Sequence, residues 1–395
     1  MSMGLFQSIF GKIAAKSLAS GFWTTLDGYT PSFLTWGGEL YENEIVRAAI
    51  HATATHTSKL SVTVQGPANP KLQTRLRQGP NEWQTWGQFL YRLCTILEVQ
   101  NTAFIVPVIN EFGETVGMFP VLPSSCEIVQ YGAAPWLRYT FRSGQTAAIE
   151  MARCGIMTKF QYKSDIFGEN NHALTPTMDL VNLQNQGIAE AVKNGATFRF
   201  AAKMNNFSSD EDLKKERKRF SRENLQGEGG GILLFPNTYT DIKQLEAKPY
   251  VVAADEMERI NTNVFNYFGT NEDVLQNRAY GDAWSAFYEG KIEPFSIQFS
   301  DVATKMLFTE RERAGGTLLI ATANRLQYMS NTEKLNVSAQ MADRGIMNRD
   351  EIREIWNLPP LPNGQGQAYT IRGEYYLLGS DGSVTKKGDD LTSGK

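Results

Sequence analysis

Three histidines, three cysteines and scattered carboxylates are the residues of this 395-residue chain whose types suit catalysis or metal binding. His51 and His56 are five positions apart, not the four that sets two ligands on one helix face. No HExxH accompanies them or His172, and both read as polar helix positions. Cys94, Cys126 and Cys154 are odd in number and lack CxxC spacing, which points to a reducing compartment and away from zinc. No GxxxxGK[ST] loop is present to cradle phosphate, and no GxSxG elbow to expose a serine. GEGGG at 227–231 lacks the GxGxxG frame and reads as a flexible turn. The acid pairs Asp210/Asp212 and Asp389/Asp390 fall in a helix start and a polar tail, not in a buried acid–base site. The sequence therefore predicts no catalytic residue, no cofactor and no metal.

Two features remain that could contact a partner. Lys214, Lys215, Arg217, Lys218, Arg219 and Arg222 crowd one predicted helix over 210–224, interleaved with acids such as Glu211 that can pair at i,i+4. Its apolar side is thin, so it reads either as a solvated helix or as a projecting one that docks a partner or faces phosphate. The second feature is a polar connector, GTNEDVLQNRAYGD (269–282), between two predicted long helices. A structureless loop of that length is uncommon and often functional. Its charge is mixed, so Gln276, Asn277 and Arg278 could touch DNA transiently without gripping it, and an ordinary surface loop is the other reading of the same residues.

The elements that must position these features follow from periodicity. At about 150 residues per domain the length implies two or three domains. Hydrophobic residues at 42%, charged at 21% and a formal charge of −3 describe a globular chain that does not coat nucleic acid. No apolar run is long enough to span a membrane, and residues 1–23 read as an amphipathic or loosely ordered arm. Helices are predicted over 42–60 and 83–98, with a strand and a turn-rich GPANP between them. A hairpin follows over TAFIVPVIN and TVGMFPVLP, then short strands at 126–129, 136–142 and 156–160. Helix returns over 176–204 with an interruption at Asn194-Gly195, with a capping-box spacing from Ser208 to Glu211 ahead of the charged helix. An ILLF strand follows the glycine loop, and 252–268 is a long helix. Another covers 283–308 and should kink at Pro294. Helix 331–342 and a capped helix from Asn348, burying Ile352, Ile355 and Trp356, precede a polar tail from Gly379 that should be disordered. The order helices, strands, helices is α+β rather than a βαβ alternation.

Six stretches in this order resemble the portal (head–tail connector) proteins of tailed bacteriophages. They are LYENEIVRAAIHATATHTSKLSVTV, RQGPNEWQTWGQFLYRL, AEAVKNGATFRF, ERINTNVFNYFGTNEDVLQ, AFYEGKIEPFSIQFSDVATKMLF and ADRGIMNRDEIREIWNLPPLPNG. They resemble, in turn, the family's early helix and wing strand, its RPN segment, its NGA motif, the junction of stem and tunnel loop, the long kinked helix, and the NLPP motif. The likeness spans roughly residues 40–370. It departs at Gly269-Thr270-Asn271, where the family usually has Val-Pro.

The resemblance implies a portal fold. Residues 1–175 would be wing, 176–204 the first stem helix, 205–250 an α/β clip and 251–268 the second stem helix. Residues 269–283 would be the tunnel loop, with Asn271, Gln276, Asn277, Arg278 and Tyr280 as its channel residues, 284–325 the wing return, 326–370 a helical crown and 371–395 a C-terminal strand and tail. It implies a homo-oligomeric ring, dodecameric in the virion, at one capsid vertex and assembled in the host cytoplasm. Double-stranded DNA would pass through its channel. The large terminase and then a head–tail adaptor would dock on its clip, and major capsid and scaffolding protein would surround it, with no membrane partner. The amide-rich face Asn182, Gln184, Asn185, Gln186, Gly187 and Ala189 could pack between subunits. The alternatives are another virion structural protein, capsid or adaptor, and a nuclease with an unmarked site.

Overall fold

Asn43 starts the first helix: its side-chain oxygen accepts the amides of Ile45 and Val46, and α1 runs Glu44–Thr57. The computed structural model describes residues 24–28, 40–110, 112–140, 144–195, 199–204, 209–220, 222, 239–245, 254–323, 331–371, 376–378 and 384–386. After α1, and after the strand β1 (Thr24–Gly28) that precedes it, come β2 (Ser61–Gln65), α2 (Pro70–Gln78) and α3 (Trp86–Gln100). A Thr85–Gln88 capping box opens α3, and Asn101, in the left-handed region at φ 53°, closes it.

Strands β3 (Thr102–Ile109), β4 (Thr115–Val121), β5 (Cys126–Tyr131), β6 (Ala134–Thr140), β7 (Thr146–Glu150) and β8 (Gly155–Thr158) follow. They form two sheets, of order β4-β3-β8 and β1-β5-β6-β7, and every pairing is antiparallel. β3 is buried on both faces, and the pleat divides its side chains between two cores. Ala103 and Ile105 join α1, α3 and the late helices, while Phe104 and Val106 join Ile128, Leu137 and Phe167.

Next come α4 (Thr175–Gly195), β9 (Arg199–Met204), α5 (Asp210–Phe220), β10 (Tyr239–Leu245) and α6 (Ala254–Tyr267), with β9 and β10 paired antiparallel. A short turn of helix, α7 (Glu272–Leu275), and α8 (Asp282–Phe287) lead into a π-helical turn, Tyr288–Ile292, and α9 (Glu293–Leu307). Phe295 and Phe299 of α9 stack on each other, and Phe299 meets Phe89 and Trp86 of α3. Then α10 (Glu310–Ala314), β11 (Leu318–Thr322, paired with β2), α11 (Asn331–Asp343), α12 (Arg349–Ile355) and the sheet β12 (Tyr369–Ile371), β13 (Tyr376–Leu378), β14 (Val384–Lys386) complete the chain. The contacts define two compact units. One comprises residues 1–175 with 264–395; the other is the single continuous excursion 176–263.

The architecture is α+β, and several local expectations change. The turn-rich segment after β2 holds a helix, because Asn69 caps it and Pro70 occupies its first turn. β7 is an additional strand, recruited by β6. The helix predicted to 204 stops at Gly195, since Arg199–Met204 pairs with β10 despite its helix-like composition. The charged helix is described over Asp210–Phe220, with 221 and 223–224 outside the described residues, and its cap is Ser209, whose hydroxyl accepts the Asp212 amide at 3.4 Å. The kink at Pro294 takes the form of the π turn, in which the Glu293 amide reaches back five residues to Tyr288. Proline there removes a donor and crowds the preceding turn, and one extra residue in the turn absorbs the mismatch. Ile355 is buried, but Ile352 is only half-buried and Trp356 is 38% exposed. The tail is not wholly without structure, because Val384–Lys386 pairs with β13. The arm 1–23, Ser208, the glycine loop 227–231, ILLF and the last nine residues lie outside the described residues.

Candidate functional site

The connector is built from its capping residue outward. Helix α6 ends at Tyr267, Gly269 turns the chain at φ +65°, and the Asn271 side chain accepts the amide of Val274 at 2.9 Å. That cap makes Glu272–Leu275 a turn of helix and drops Val274 into the main core. The connector expected to be structureless is therefore anchored at its first half. The Arg278 and Ala279 amides both return to the Asp273 carbonyl, at 2.7 and 3.1 Å. Gly281 at φ +55° then admits α8.

The five predicted contact residues sit together in this loop but are not equivalent. Asn271 spends its side-chain oxygen on the cap. Gln276 donates to Glu272. Arg278 lies 3.8 Å from Asp273 in an exposed pair, worth little in water. Asn277, in the left-handed region at φ 56°, is exposed, as is Tyr280 at 73%. The loop thus presents an amide, a phenol and a half-neutralised guanidinium.

Both ends of the connector are fixed by groups that the sequence reading passed over. At its start, Tyr267 donates its hydroxyl hydrogen to Asn171 Oδ1 at 2.7 Å, and Asn101 Nδ2 donates to the same oxygen at 2.7 Å. Asn171 in turn donates to the Val99 carbonyl, 2.8 Å away. Asn171 opens the short 3-10 turn leading into α4, so this amide ties the root of α4 to the end of α6. One turn earlier in α3 lies Glu98, 5% exposed. Its two oxygens take Lys159 at 2.6 Å and Lys291 at 2.7 Å. Burial alone would raise the Glu98 pKa, but the two ammonium groups outweigh it and hold the carboxylate below its ordinary range. At the far end of the connector His56 of α1 packs edge-on against Trp284, centroids 4.6 Å apart, and against Phe287. Burial first, and then the neighbouring Lys59, push its pKa down to about 4. The one available signal was a glutamate on the apolar face of α3, followed by an asparagine at its C-terminal cap.

In the other unit, Lys214, Lys215, Arg217, Lys218 and Arg219 are all exposed on α5, and so is Arg222 beyond it. Arg219 is engaged by Glu216 at 2.6 Å. On α4, Leu180, Leu183, Ile188 and Val192 are exposed; at about 100° per residue Leu180 and Leu183 lie on one side of the helix and Ile188 and Val192 on another. Of the amide-rich face, Gln184 is buried, Asn182 and Gly187 are half-buried, and Asn185, Gln186 and Ala189 are exposed. The cysteines are not poised nucleophiles: burial pushes Cys94 and Cys154 up to about 12 and Cys126 higher still. Among the described residues no group of His, Cys, Asp and Glu could hold a metal, and no helix is long and apolar enough to cross a membrane.

The antiparallel α+β body, the inserted unit entered and left by helices, and the kinked helix after a capped loop together define a portal-type fold. Residues 44–357 match the family model described as phage portal protein, and the chain belongs to that family of virion components. Its fold is similar to the neck of an empty gene transfer agent (GTA) particle computed with C6 symmetry, at 16% identity and a TM-score of 0.56, covering 81% of this chain and 91% of that one. It is similar also to the neck of the native particle computed with C12 symmetry, at 16% identity and TM-score 0.55, covering 85% and 97%. An HK97 family phage portal protein from Corynebacterium diphtheriae aligns at 13% identity and TM-score 0.48, over 71% and 94%. No curated protein matches the sequence.

Two measurements check the anchoring groups. Glu98→Gln leaves two buried ammonium groups without their carboxylate and should lower unfolding free energy by about 3 kcal/mol. Replacing Glu98, Lys159 and Lys291 together by Leu, Met and Met should recover most of that loss. A midpoint for Glu98→Gln equal to wild type would show the triad to be idle. His56 is neutral in the fold, while the unfolded chain takes up a proton below its ordinary value of 6.5. Its contribution is therefore full above pH 6.5 and declines as pH falls toward 4. Urea midpoints measured across this window should decline less steeply in His56→Gln, and parallel profiles would contradict the assignment.

Proposed function

We propose that this protein is one wedge of a homo-oligomeric portal ring at a capsid vertex, dodecameric in the virion. Its bore passes double-stranded DNA during packaging and ejection, and it performs no bond-breaking. The observation that carries this reading is the excursion 176–263: a separate unit entered through α4 and left through α6, with apolar side chains on two sides of α4 open to solvent in the single chain. A monomer gains nothing by exposing Leu183 and Val192 on opposite sides of α4, whereas head-to-tail packing in a ring gives each subunit a neighbour on both sides and covers both through heterologous interfaces. The C12 symmetry of the similar GTA neck supports the same copy number.

In this reading residues 176–195 and 254–267 serve as stem helices, the segment between them as clip, the capped connector as tunnel loop and 331–370 as crown. The loop's chemistry suits a sliding duplex. Strong lysine or arginine contacts would displace counterions and hold the DNA. Asn277, Tyr280 and an Arg278 shared with Asp273 offer weaker contacts, multiplied by copy number. The exposed cations of α5 form the docking surface for large terminase and then for the tail adaptor, with capsid and scaffolding protein around the ring. Assembly takes place in the host cytoplasm.

Deleting Gln276–Tyr280 should leave ring assembly intact and lower the yield of DNA-filled heads in a packaging assay; a normal yield would refute the role of the loop. Reversing Lys214, Lys215, Lys218 and Arg219 to Glu should weaken terminase or adaptor binding by about tenfold or more without changing ring formation. Unchanged affinity would remove α5 from the docking surface.

A further inference from the structure

The Glu98 triad does more than staple the fold, because it forms one wall of an open cleft of about 800 Å3 within the larger unit. That volume lies in the range of small-ligand sites. The cleft is bounded by the end of α3, the chain after β8, the end of α6 and the π turn with the start of α9. Its surface is mostly apolar and includes Phe160, Tyr267 and Phe295.

The charged groups lining it are Glu98, Lys159, Lys291 and Asp301. Glu98 gives one oxygen to each ammonium, so the buried cluster holds two positive charges against one negative. Each ammonium has three N–H donors and needs only one for Glu98. Lys159 also lies 4.8 Å from the Phe160 ring centre and 5.7 Å from that of Phe268, an arrangement that favours the charged form but supplies no acceptor. Burial, with Lys291 adding to it, lowers the Lys159 pKa, as an incompletely neutralised cation should show. Asp301 is solvent-exposed, so its charge is screened, whereas the lysines are mostly withdrawn from water.

We propose that this cleft binds a carboxylate carried on an apolar stem. The carboxylate would sit against the free N–H donors of Lys159 and Lys291, and the stem would lie against Phe160, Tyr267 and Phe295. An aromatic or aliphatic acid and an acidic side chain beside an apolar residue share this chemistry. The inference is independent of the ring and would survive its failure.

Titration calorimetry of the full-length protein tests it with four probes: 3-phenylpropionate, 3-phenylpropanamide, and the blocked dipeptides Leu-Asp and Leu-Asn. Saturable binding of an acid at low millimolar concentration, about tenfold stronger than its amide, is the expected result. Preference for the free acid or for the Leu-Asp peptide tells which source the cleft suits. Lys291→Met leaves the Glu98–Lys159 pair but strips one Glu98 oxygen of its partner, so its unfolding midpoint should fall, and below that midpoint it should bind the acid about tenfold more weakly while binding of the amide is unchanged. Asp301→Asn removes the exposed acid and should tighten acid binding by about two- to threefold; it keeps the proposal testable if Lys291→Met does not fold. No saturable binding, equal binding of acid and amide, or weaker acid binding by Asp301→Asn would overturn the assignment.

Discussion

The last turn of α3 is the point on which the rest of the larger unit depends. It carries a carboxylate and an amide that are almost wholly out of water, Glu98 and Asn101, and such groups are tolerated only when partnered. Their partners come from distant parts of the chain: Lys159 after β8, Asn171 before α4, Lys291 in the π turn. Tyr267, at the end of α6, closes the set on Asn171. Partnering the Glu98 carboxylate and the Asn101 Nδ2 group therefore places the roots of two helices and the kink of a third within one small region, while the Asn101 Oδ1 stays buried without a protein partner among the described residues. Backbone reinforces it. Gly168 packs so closely that an added Cβ would stand 2.1 Å from the Lys159 carbonyl oxygen and 2.3 Å from that of Asn101.

This arrangement explains how a loop can be both exposed and defined. The connector after α6 starts beside the Asn171 clasp and ends beside the His56–Trp284 contact. Between those fixed points its backbone is held by the Asn271 cap and the Asp273 carbonyl, while Asn277 and Tyr280 stay in water. The design gives the loop a fixed position without giving it a strong charge, which is what the proposed tunnel-loop role would need. In a ring, weak contacts repeated by symmetry suffice to guide a duplex that must keep moving.

Features governed by neighbouring residues were legible in the sequence. The β3–β4 hairpin, the Asn348–Glu351 capping box and the apolar face of the kinked helix all follow from short-range pattern. The antiparallel α+β character followed as well. What was not legible depends on distant partners. Lys159 lies 61 positions from Glu98, and Tyr267 lies 96 from Asn171, so no periodicity links them. β9 was read as helix because Arg-Phe-Ala-Ala-Lys-Met has helical composition, and only its pairing with β10 makes it a strand. The loop residues were chosen for polarity alone, and polarity does not separate Asn271, committed to a cap, from Asn277, open to water.

The central claim is that this polypeptide works as a repeated segment around a central opening. Electron microscopy of the purified full-length protein tests it most directly. Class averages should show closed rings with a central channel, at a copy number near that of the C12-symmetric neck it resembles. Compact particles of one or two chains at every concentration, with no annular class, would contradict it.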